Sequence, residues 1–491
     1  MTGFFQVTGA DLACVAPEIV LALFASLILL LDAFARPLRT FFPYVALLSL
    51  ALANLAGRDS TGTFFAGAVE SSGLSRYIEL VALGAVALAV LGGAAALERD
   101  GRNQGEFYAL LLFSAAGLIL MVRGVDLLVV FLGLELMSLA LYVLAAWYRD
   151  VPAATEAALK YFLMGAFASA FLLYGVATVY GRLGTTRLTR LQGLASGHSL
   201  VPFDVLLAAG LLAIVAALSF KIALVPFHGW APDVYQGMTT PAVTFLSTAP
   251  KVGALLVLFR ILHALFPSSL PEPWRPLFAI IAVLSILFGN VVALSQRDLK
   301  RMLAYSGIAQ MGYAAIAVAT LTREAFEGVL VFLAGYVVTN AAAFLAVAAL
   351  SAGEKEPHPL GDLAGLGRRH PVAASALTLS MLSLAGLPPT VGFIGKFLVF
   401  RAAVDAGLVG LALIGVLGSL ISVGYYLRVV YMLWMKEPVR EVSLVPEDLL
   451  SGAAFLLTSA LMLAWRLPTR PPRARPRGRG RVHGAMRHEE A

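Results

Sequence analysis

Long apolar runs joined by short polar connections make up most of the chain. About 20 consecutive apolar residues are enough for a helix to cross the hydrocarbon core of a bilayer. By this criterion the pattern predicts fourteen spans, at residues 15–36, 41–57, 78–97, 107–122, 125–148, 156–182, 205–236, 240–263, 277–294, 301–321, 325–350, 372–403, 407–435 and 451–466. The sequence therefore predicts an all-α polytopic membrane protein with about 14 transmembrane helices.

Two of the predicted spans contain prolines near their centres. The segment "LVPFHGWAP" interrupts span 7 at 224–232, and "LAGLPPTVGFIGKF" interrupts span 12 at 384–397. Proline removes a backbone donor and disfavours helix at the residue before it, so both spans should be broken helices. The alternative interpretation is that both are ordinary proline kinks of membrane helices.

The two interrupted spans hold matching places in the order of spans. Each is the fourth member of a group of five, spans 4 to 8 and spans 9 to 13. Because five is an odd number, the second group lies upside down relative to the first. We therefore predict a transmembrane domain at 1–466 with two inverted five-helix repeats, about 107–263 and 277–435, each containing a broken helix. Such paired breaks point to an ion or substrate site near the midplane.

Composition agrees with this class and sets the partners that we expect. The chain is 59% hydrophobic and 13% charged. Its net charge of +7 does not indicate nucleic acid, because eight arginines lie in the last 26 residues; the expected partner is the lipid bilayer. Lys and Arg number thirteen in the connections on the side reached after span 1 and nine on the other side, which places the N-terminus outside. The first residues lack a basic n-region and do not resemble a removable signal peptide.

The C-terminal residues 467–491 form a Pro/Arg/Gly-rich tail that we expect to be disordered. An even number of spans places this tail outside, where arginines are disfavoured. Either span 14 does not cross the membrane, or the small difference in loop charge is overridden, or the tail is an aberrant end.

Sequence motifs for cofactors are missing from the chain. Cys14 is the one cysteine, so there is neither a disulfide within the chain nor a C-x-x-C motif for an iron–sulfur cluster or a c-type haem. No P-loop and no strand-borne G-x-G-x-x-G occurs. We therefore expect no catalytic redox site and no metal site, and energy must come from an ion gradient or a partner subunit.

Four ionisable residues lie deep inside predicted spans: Glu135, Lys221, Lys251 and Lys396. Glu135 is about 15 Å from the start of its run, half of a core of about 30 Å. Unpaired and dry, the four charges would cost on the order of 10 kcal/mol together. They must be paired or hydrated, and that combination suits a proton relay. The alternative is that the lysines snorkel or form static ion pairs.

Several other polar residues are weaker candidates for the proton relay. His228 follows the break in span 7 and is a possible relay member, although it is as readily explained by a hydrogen bond to a carbonyl freed by the break. Lys160 is a possible relay member too, or the partner of Glu156 in a helix-end salt bridge. Tyr142, on one face with Glu135 and Ser138, is interpreted as packing. The "QRDLKR" group at 296–301 is interpreted as a solvated loop.

Five segments resemble a known family. They are "GLELMSLALYVL" (133–144), "EAALKYFLMGAFASAFLLYG" (156–175), "FKIALVPFHGWAPDVYQG" (220–237), "DLKRMLAYSGIAQMGY" (298–313) and "GLPPTVGFIGKF" (386–397). The resemblance is to subunit N of the proton-translocating NADH:quinone oxidoreductases, in the membrane arm of respiratory complex I and its antiporter-like family. A lysine rather than a glutamate at position 396 favours subunit N over the sister subunit M.

The resemblance implies a role for each buried charge. Glu135 and Lys221 would form the switching ion pair, Lys251 the central relay and Lys396 the exit-side lysine. It also implies that NADH, flavin, iron–sulfur clusters and quinone bind to partner subunits, that the partners are other membrane-arm subunits, and that the chain lies in the bacterial inner membrane as a multi-pass protein.

Two other functions remain open at this point. The chain is alternatively a subunit of a cation/proton antiporter driven by a gradient alone. The third possibility is a scaffold of membrane helices whose buried charges are static. Charge-removing substitutions that leave proton transport intact would favour the scaffold.

Overall fold

The computed structural model of the chain describes residues 7–58, 60–196, 204–266, 270, 274–351, 358–438 and 449–464. The predicted tail at 467–491 lies outside the described residues. In chain order the helices are α1 (Gly9–Cys14), α2 (Ala16–Phe34), α3 (Phe42–Ala56), α4 (Gly73–Arg99), α5 (Gly105–Arg123), α6 (Leu127–Ala145), α7 (Pro152–Leu183), α8 (Leu188–Ser196), α9 (Val205–Ile222), α10 (Ala231–Gly237), α11 (Thr240–Leu246), α12 (Ala249–Leu265), α13 (Trp274–Ser295), α14 (Leu299–Thr320), α15 (Arg323–Leu350), α16 (Leu366–Arg369), α17 (Pro371–Ala385), α18 (Val391–Asp405), α19 (Val409–Met435) and α20 (Leu449–Leu463). Strands β1 (Gly62–Phe64) and β2 (Val69–Ser71) pair antiparallel, with Thr63 opposite Glu70.

The all-α membrane fold is confirmed. Within the described residues, 12 helices are long and apolar enough to cross a membrane. The apolar stretch at 372–403 accounts for one more span, divided into α17 and α18. Each of these halves has 15 residues, about 22 Å of helix, and neither alone crosses a core of about 30 Å. The shorter apolar helix α20 occupies the place of the fourteenth predicted span.

The two predicted breaks are present and close in the same way. Ala223 at φ 65° is the residue after the end of α9, and Gly386 at φ 84° is the residue after the end of α17. Pro226 follows three residues after Ala223, and Pro389 follows three residues after Gly386. At the first break, the amides of 223 and 224 donate to the carbonyls of 220 and 219. At the second, the amides of 386 and 387 donate to the carbonyls of 383 and 382. This double closure is the Schellman motif, which satisfies the last carbonyls of a helix where water is scarce.

The second helix of each predicted repeat begins with an aspartate N-cap. Asp126 caps α6 by accepting from the amide of Leu128, and Asp298 caps α14 by accepting from the amide of Arg301. Each aspartate lies in a bridge to the loop that follows the third helix of its repeat, at Arg187 and at Pro359. The two predicted repeats thus share a cap and a bridge at the start of their second helices.

A third break lies in span 8, where the sequence analysis predicted an unbroken helix. Helix α11 ends at Leu246 and α12 begins at Ala249, because Thr248 adopts φ −115°, ψ −94°. Pro250 lies in the first turn of α12, the position where proline is best tolerated. The sequence signal for this break is the string "STAPK" (247–251), in which Ser247 and Thr248 precede a proline inside an apolar run.

The interpretation of "QRDLKR" as a solvated loop is wrong. Its last residues form the start of α14, where Lys300 is fully buried and donates a 2.6 Å hydrogen bond to the carbonyl of Met238. Arg301 bonds Asp233 at 2.6 Å. Lys300 and Arg301 attach α14 to α10, whereas Arg297 is exposed; a count of charges along the chain did not distinguish them.

His358, the residue before Pro359, makes a further contact with Asp298. Its amide donates to Asp298 at 2.8 Å, and its side chain is buried. Burial, together with the nearby Lys300, lowers the pKa of His358 to about 3. The imidazole is therefore neutral at neutral pH and adds no charge to this junction.

We expect Asp298→Ala to destabilise the folded chain by about 2 to 4 kcal/mol, because it removes a helix cap and leaves the buried amide of His358 without its acceptor. Unfolding of the purified protein in mixed micelles measures the effect. Asp298→Asn retains an acceptor oxygen and should lose less. Asp405→Ala, at an exposed carboxylate, is the control. Equal stability of Asp298→Ala and Asp405→Ala would contradict the prediction.

Candidate functional site

The ammonium group of Lys221 is held by two hydroxyls. Lys221 lies in the last turn of α9, just before the break, and is buried. Its Nζ donates to Ser138 Oγ at 2.8 Å and to Tyr161 Oη at 3.1 Å. Nζ also lies 5.5 Å from the ring centre of Tyr142, so this tyrosine contacts the lysine and does not only pack. The last carbonyls of a helix favour a nearby cation, so α9 itself stabilises the charge.

Glu135 lies on the same face of α6 as Ser138 but does not contact Lys221 directly. It accepts a hydrogen bond from the hydroxyl of Ser169 on α7. Within the described part of the chain, Lys221 forms no ion pair with any carboxylate. Ser138 itself donates to the carbonyl of Leu134 at 2.6 Å, so Lys221 and Glu135 have different hydroxyl partners.

A small cavity lies between α6, α7 and α9. Its volume is about 10 Å³, close to the minimum that holds one water. Ser138, Ser169 and Lys221 are among its lining residues. The cavity thus joins the hydroxyl partner of Glu135 to the ammonium of Lys221.

Lys251 is fully buried in the first turn of α12, directly after the third break. Among the described residues its Nζ has no hydrogen-bond partner. The ring of Tyr235 lies 5.2 Å from it. The N-terminal end of a helix carries a partial positive charge, so this position is electrostatically unfavourable for an ammonium group.

Gly307 provides the space in front of Lys251. A Cβ atom at Gly307 would lie 3.1 Å from Lys251 Nζ and 3.4 Å from Tyr336 Oη. Gly307 follows Asp298 at the same spacing at which Glu135 follows Asp126. The second repeat thus has a glycine where the first has the partly exposed carboxylate of Glu135.

Lys396 lies on α18 and reaches back to the end of α17. Its buried Nζ donates to the carbonyls of Leu384 at 2.8 Å and Ala385 at 3.4 Å, which the second break leaves available. The ring of Tyr313 lies 4.6 Å away. Like Lys221, this lysine has its charge at the favourable C-terminal end of a helix.

Aromatic side chains fill the space between Lys221 and Lys251. Tyr161, which bonds Lys221, stacks on Trp230 at 4.6 Å, and Trp230 contacts Tyr235, which lies against Lys251. The indole of Trp230 donates to the carbonyl of Phe220 at 2.8 Å. The first break therefore positions the aromatic residues that separate the two lysines.

A line of hydroxyl and amide groups leads from Lys251 toward Lys396. Ser306, beside Gly307, bonds Tyr426 at 2.5 Å. Gln310 donates to Tyr426 at 3.2 Å and to the carbonyl of Leu384 at 2.8 Å, the same carbonyl that Lys396 uses. The sequence analysis missed these residues, because uncharged polar residues are common in membrane helices and give no signal of their own.

The two possible relay residues lie in different surroundings. His228 lies inside the break with its ring 4.6 Å from Phe288, and its buried Nδ1 has no partner among the described residues. Lys160 is half exposed on α7 and pairs with Glu156 at 2.8 Å and with Asp233 at 3.0 Å. The salt bridge to Glu156 was expected, whereas the bond to Asp233 attaches α7 to α10.

A second group of buried charges was missed. Arg123, at the end of α5, donates to Glu79 at 2.8 Å and to Glu18 at 3.0 Å, and Arg76 bonds the other oxygen of Glu79. Arg123 and Glu79 are almost completely buried. The sequence analysis assigned them to the ends of spans. The network joins α2, α4 and α5, and its two cations balance its two carboxylates.

No metal centre accompanies these charges in the described residues. In that part of the chain no group of three or more His, Cys, Asp or Glu side chains is placed to hold a metal ion. The chemistry that the described site supports is the transfer of protons among lysines, hydroxyls and a carboxylate.

Comparison with known proteins relates the chain to one family of membrane proteins. The model of a transmembrane family described as NADH:quinone oxidoreductase/Mrp antiporter matches residues 124–422. NADH-quinone oxidoreductase subunit N of Rhodospirillum rubrum is 39% identical over 442 residues, 89% of each chain. All four predicted relay residues lie in the region that the family model matches.

Solved structures give the same fold. A chain of respiratory complex I from Thermus thermophilus, determined with bound aureothin, is similar with a TM-score of 0.77 and 35% identity, over 91% of this chain and 96% of that chain. A chain of the Mrp complex from Dietzia sp. DQ12-45-1b has a TM-score of 0.79 at 23% identity, over 92% of this chain and 93% of that chain. The latter similarity concerns the fold alone.

We expect Arg123→Met to destabilise the protein by about 3 to 5 kcal/mol, because it leaves Glu18 without its cation and the buried Glu79 with Arg76 alone. The amount of folded chain in membranes and its thermal unfolding in detergent report the loss. Arg323→Met, which breaks an exposed pair with Glu327, is the control and should change stability by less than about 1 kcal/mol. If the two variants are equally stable, the buried network does not hold α2, α4 and α5 together.

Proposed function

The chain belongs to the NADH:quinone oxidoreductase/Mrp antiporter family, as a relative of NADH-quinone oxidoreductase subunit N, and we propose that it conducts protons through the membrane within such an oxidoreductase. In this proposal NADH is oxidised and quinone is reduced in partner subunits, which also hold flavin and iron–sulfur clusters. The chain lies in the bacterial inner membrane and contributes the proton path.

The observation that carries the proposal is the position of three lysines at three helix breaks. Lys221 precedes the break at Ala223, Lys251 follows the break at Thr248, and Lys396 reaches the carbonyls at the break after Ala385. Each break supplies carbonyls or space that a continuous helix lacks. A static scaffold has no need of a buried lysine without a hydrogen-bond partner, which is the situation of Lys251 within the described residues.

Protons would move along these lysines in order. Glu135, Ser169 and the small cavity bring a proton to Lys221, where Ser138 and Tyr161 accept hydrogen bonds from the ammonium group. Lys251 receives it only transiently, because the N-terminal end of α12 disfavours its positive charge. The charge then moves to Lys396, where the carbonyls at the end of α17 stabilise it. A relay with an unfavourable middle site passes protons on rather than storing them.

The static alternative for the pair Glu135 and Lys221 is weakened by their geometry. A structural ion pair in a low-dielectric interior needs direct contact to offset desolvation. Here the two groups make no direct contact, and the cavity between Ser169 and Lys221 has room for about one water. The strength of their interaction can therefore change with small movements of α6 against α9.

A cation/proton antiporter remains the second function, favoured by the family description and the fold of the Mrp chain. The higher identity to subunit N places the oxidoreductase first. Proton uptake driven by NADH, and absent with a sodium gradient alone, supports the oxidoreductase. Transport driven by the sodium gradient without NADH supports the antiporter.

We expect Lys396→Arg to assemble normally but to reduce NADH-driven proton uptake by about tenfold or more, because arginine keeps the charge and does not release its proton. Inverted membrane vesicles give the measurement. Lys436→Arg, at the exposed end of α19, is the matched control and should pump normally. Normal pumping by Lys396→Arg would show that position 396 needs only a fixed charge.

A double-mutant cycle tests whether Glu135 and Lys221 act together. We expect Glu135→Gln and Lys221→Met each to reduce proton uptake strongly, and the double variant to be little worse than the worse single variant. The double variant should assemble better than Lys221→Met, because no carboxylate is left without its cation. Native gels measure assembly in parallel. Strictly additive losses would show that the two residues act independently.

A further inference from the structure

Asn290 is a fully buried polar residue in the mostly apolar helix α13. Its side-chain amide makes three hydrogen bonds inside the bundle. Nδ2 donates to the carbonyl of Ile286 at 2.8 Å and to the hydroxyl of Tyr313 at 3.0 Å, and Oδ1 accepts from the hydroxyl of Tyr425 at 2.9 Å. Because the carbonyl of Ile286 only accepts hydrogen bonds, the nitrogen of the amide must face it, and this fixes the orientation of the side chain.

Three helices meet at the amide of Asn290. Tyr313 belongs to α14 and Tyr425 to α19. Gly418 allows α19 to come close, because a Cβ atom at this position would lie 3.1 Å from both Asn290 Nδ2 and the oxygen of Tyr313 and would collide with Ile286. Asn290 therefore holds two buried phenol hydroxyls at a place where the helix backbones are in close contact.

The ring of Tyr313 faces the ammonium group of Lys396. Nζ lies over the ring, 4.6 Å from its centre, whereas the ring centres beside Lys221 and Lys251 are more than 5 Å away, at 5.3 Å and 5.2 Å. The negative face of an aromatic ring attracts a cation at this distance, most strongly where water is excluded. Tyr313 is fully buried, and the other partners of Nζ are the two carbonyls at the end of α17.

We propose that Asn290 is a positioning residue for Lys396 and that it acts through Tyr313. Its hydrogen bond holds the phenol at the hydroxyl end, so that the face of the ring stays against the ammonium group and favours the charged form of the lysine. This inference rests on the proton-carrying role proposed for Lys396. In that order of transfer the proton moves to Lys396 because its charge is stabilised there, so a displaced ring should slow the passage of protons.

The surroundings of the Tyr313 ring allow it to move when the bond to Asn290 is lost. Ser419 of α19 lies near the same hydroxyl and is an alternative partner for it. A buried hydroxyl that is short of a partner is unfavourable, so the phenol should turn toward Ser419. Phe400 meets the ring edge-to-face at 5.8 Å, and a cavity between α18 and α19 borders both Phe400 and Ser419. The ring therefore has room to leave its place against Nζ.

The first test weakens the face of the ring without removing its hydroxyl. Tyr313 is replaced by mono- and difluorotyrosine in the complete complex, because fluorine withdraws electrons from the ring face that attracts the cation. We expect NADH-driven proton uptake in inverted membrane vesicles to fall in steps, by about threefold in total. The same replacements at Tyr431, whose exposed ring lies 5.8 Å from Lys436, are the control and should leave uptake unchanged.

The second test repeats the fluorine series in the variant Asn290→Leu. This variant should take up protons about threefold more slowly, and fluorination should have little further effect, because the ring no longer faces Nζ. Thr458→Val, which removes a fully buried hydroxyl from α20, is the control and should keep both the rate and the response to fluorine. A purely structural role of Asn290 would lower the amount of assembled complex on native gels and leave the response to fluorine intact.

Tyr313→Phe gives a second route to the same answer if Asn290→Leu does not assemble. It removes the oxygen that Asn290 bonds and no other heavy atom. We expect it to slow proton uptake about as much as Asn290→Leu, and fluorinated phenylalanine at this position should pump no more slowly than phenylalanine itself.

Two results would overturn the inference. Equal uptake with tyrosine and difluorotyrosine at position 313 would show that the ring does not act on Lys396. A full response to fluorine in Asn290→Leu would show that Asn290 does not position the ring. If Lys396→Arg fails to pump in the same vesicles, either result contradicts this inference alone, whereas normal pumping by Lys396→Arg contradicts the proposed role of the lysine itself.

Discussion

A positive charge inside a hydrocarbon layer is costly unless oxygen atoms or a negative charge lie beside it, and the placement of Lys221 and Lys396 follows from this constraint. A continuous helix has no carbonyls to offer, because its own amides use them. The breaks at Ala223 and Gly386 release such carbonyls within apolar helices. Lys396 takes two of them directly, and Lys221 uses hydroxyls that neighbouring helices bring to the same level.

The breaks also determine the electrical polarity of the site. Two lysines lie at C-terminal ends of helices, where the partial charge of the helix is negative, and Lys251 lies at an N-terminal end. The partial charge of the nearest helix end therefore differs among the three positions, although the side chains are chemically identical. In the relay that we propose, this difference gives the three lysines unequal roles without additional charged residues.

The charges around Arg123 pair directly with one another, unlike the three buried lysines. Its cations and carboxylates touch, balance and fix three helices, so removing one member leaves a charge without compensation. The lysines that we assign to transport have hydroxyls, carbonyls or aromatic rings as partners. They therefore differ from the Arg123 network, whose charges pair directly.

The sequence by itself determined the class of fold, because apolar runs of bilayer length form membrane-spanning helices. It also located the two proline breaks and the four charges inside the spans, because prolines and charges are unfavourable within membrane helices. It could not give the break before Lys251, where the signal "STAPK" is short and apolar residues continue on both sides. Nor could it separate Glu79 and Arg123 from span ends, or reveal that Lys300 faces the interior. Whether a charge is paired, solvated or isolated depends on which residues from distant helices surround it. Only the tertiary structure decided that Lys221 bonds the hydroxyls of Ser138 and Tyr161 rather than Glu135, and that Gly307 leaves the space in front of Lys251 open.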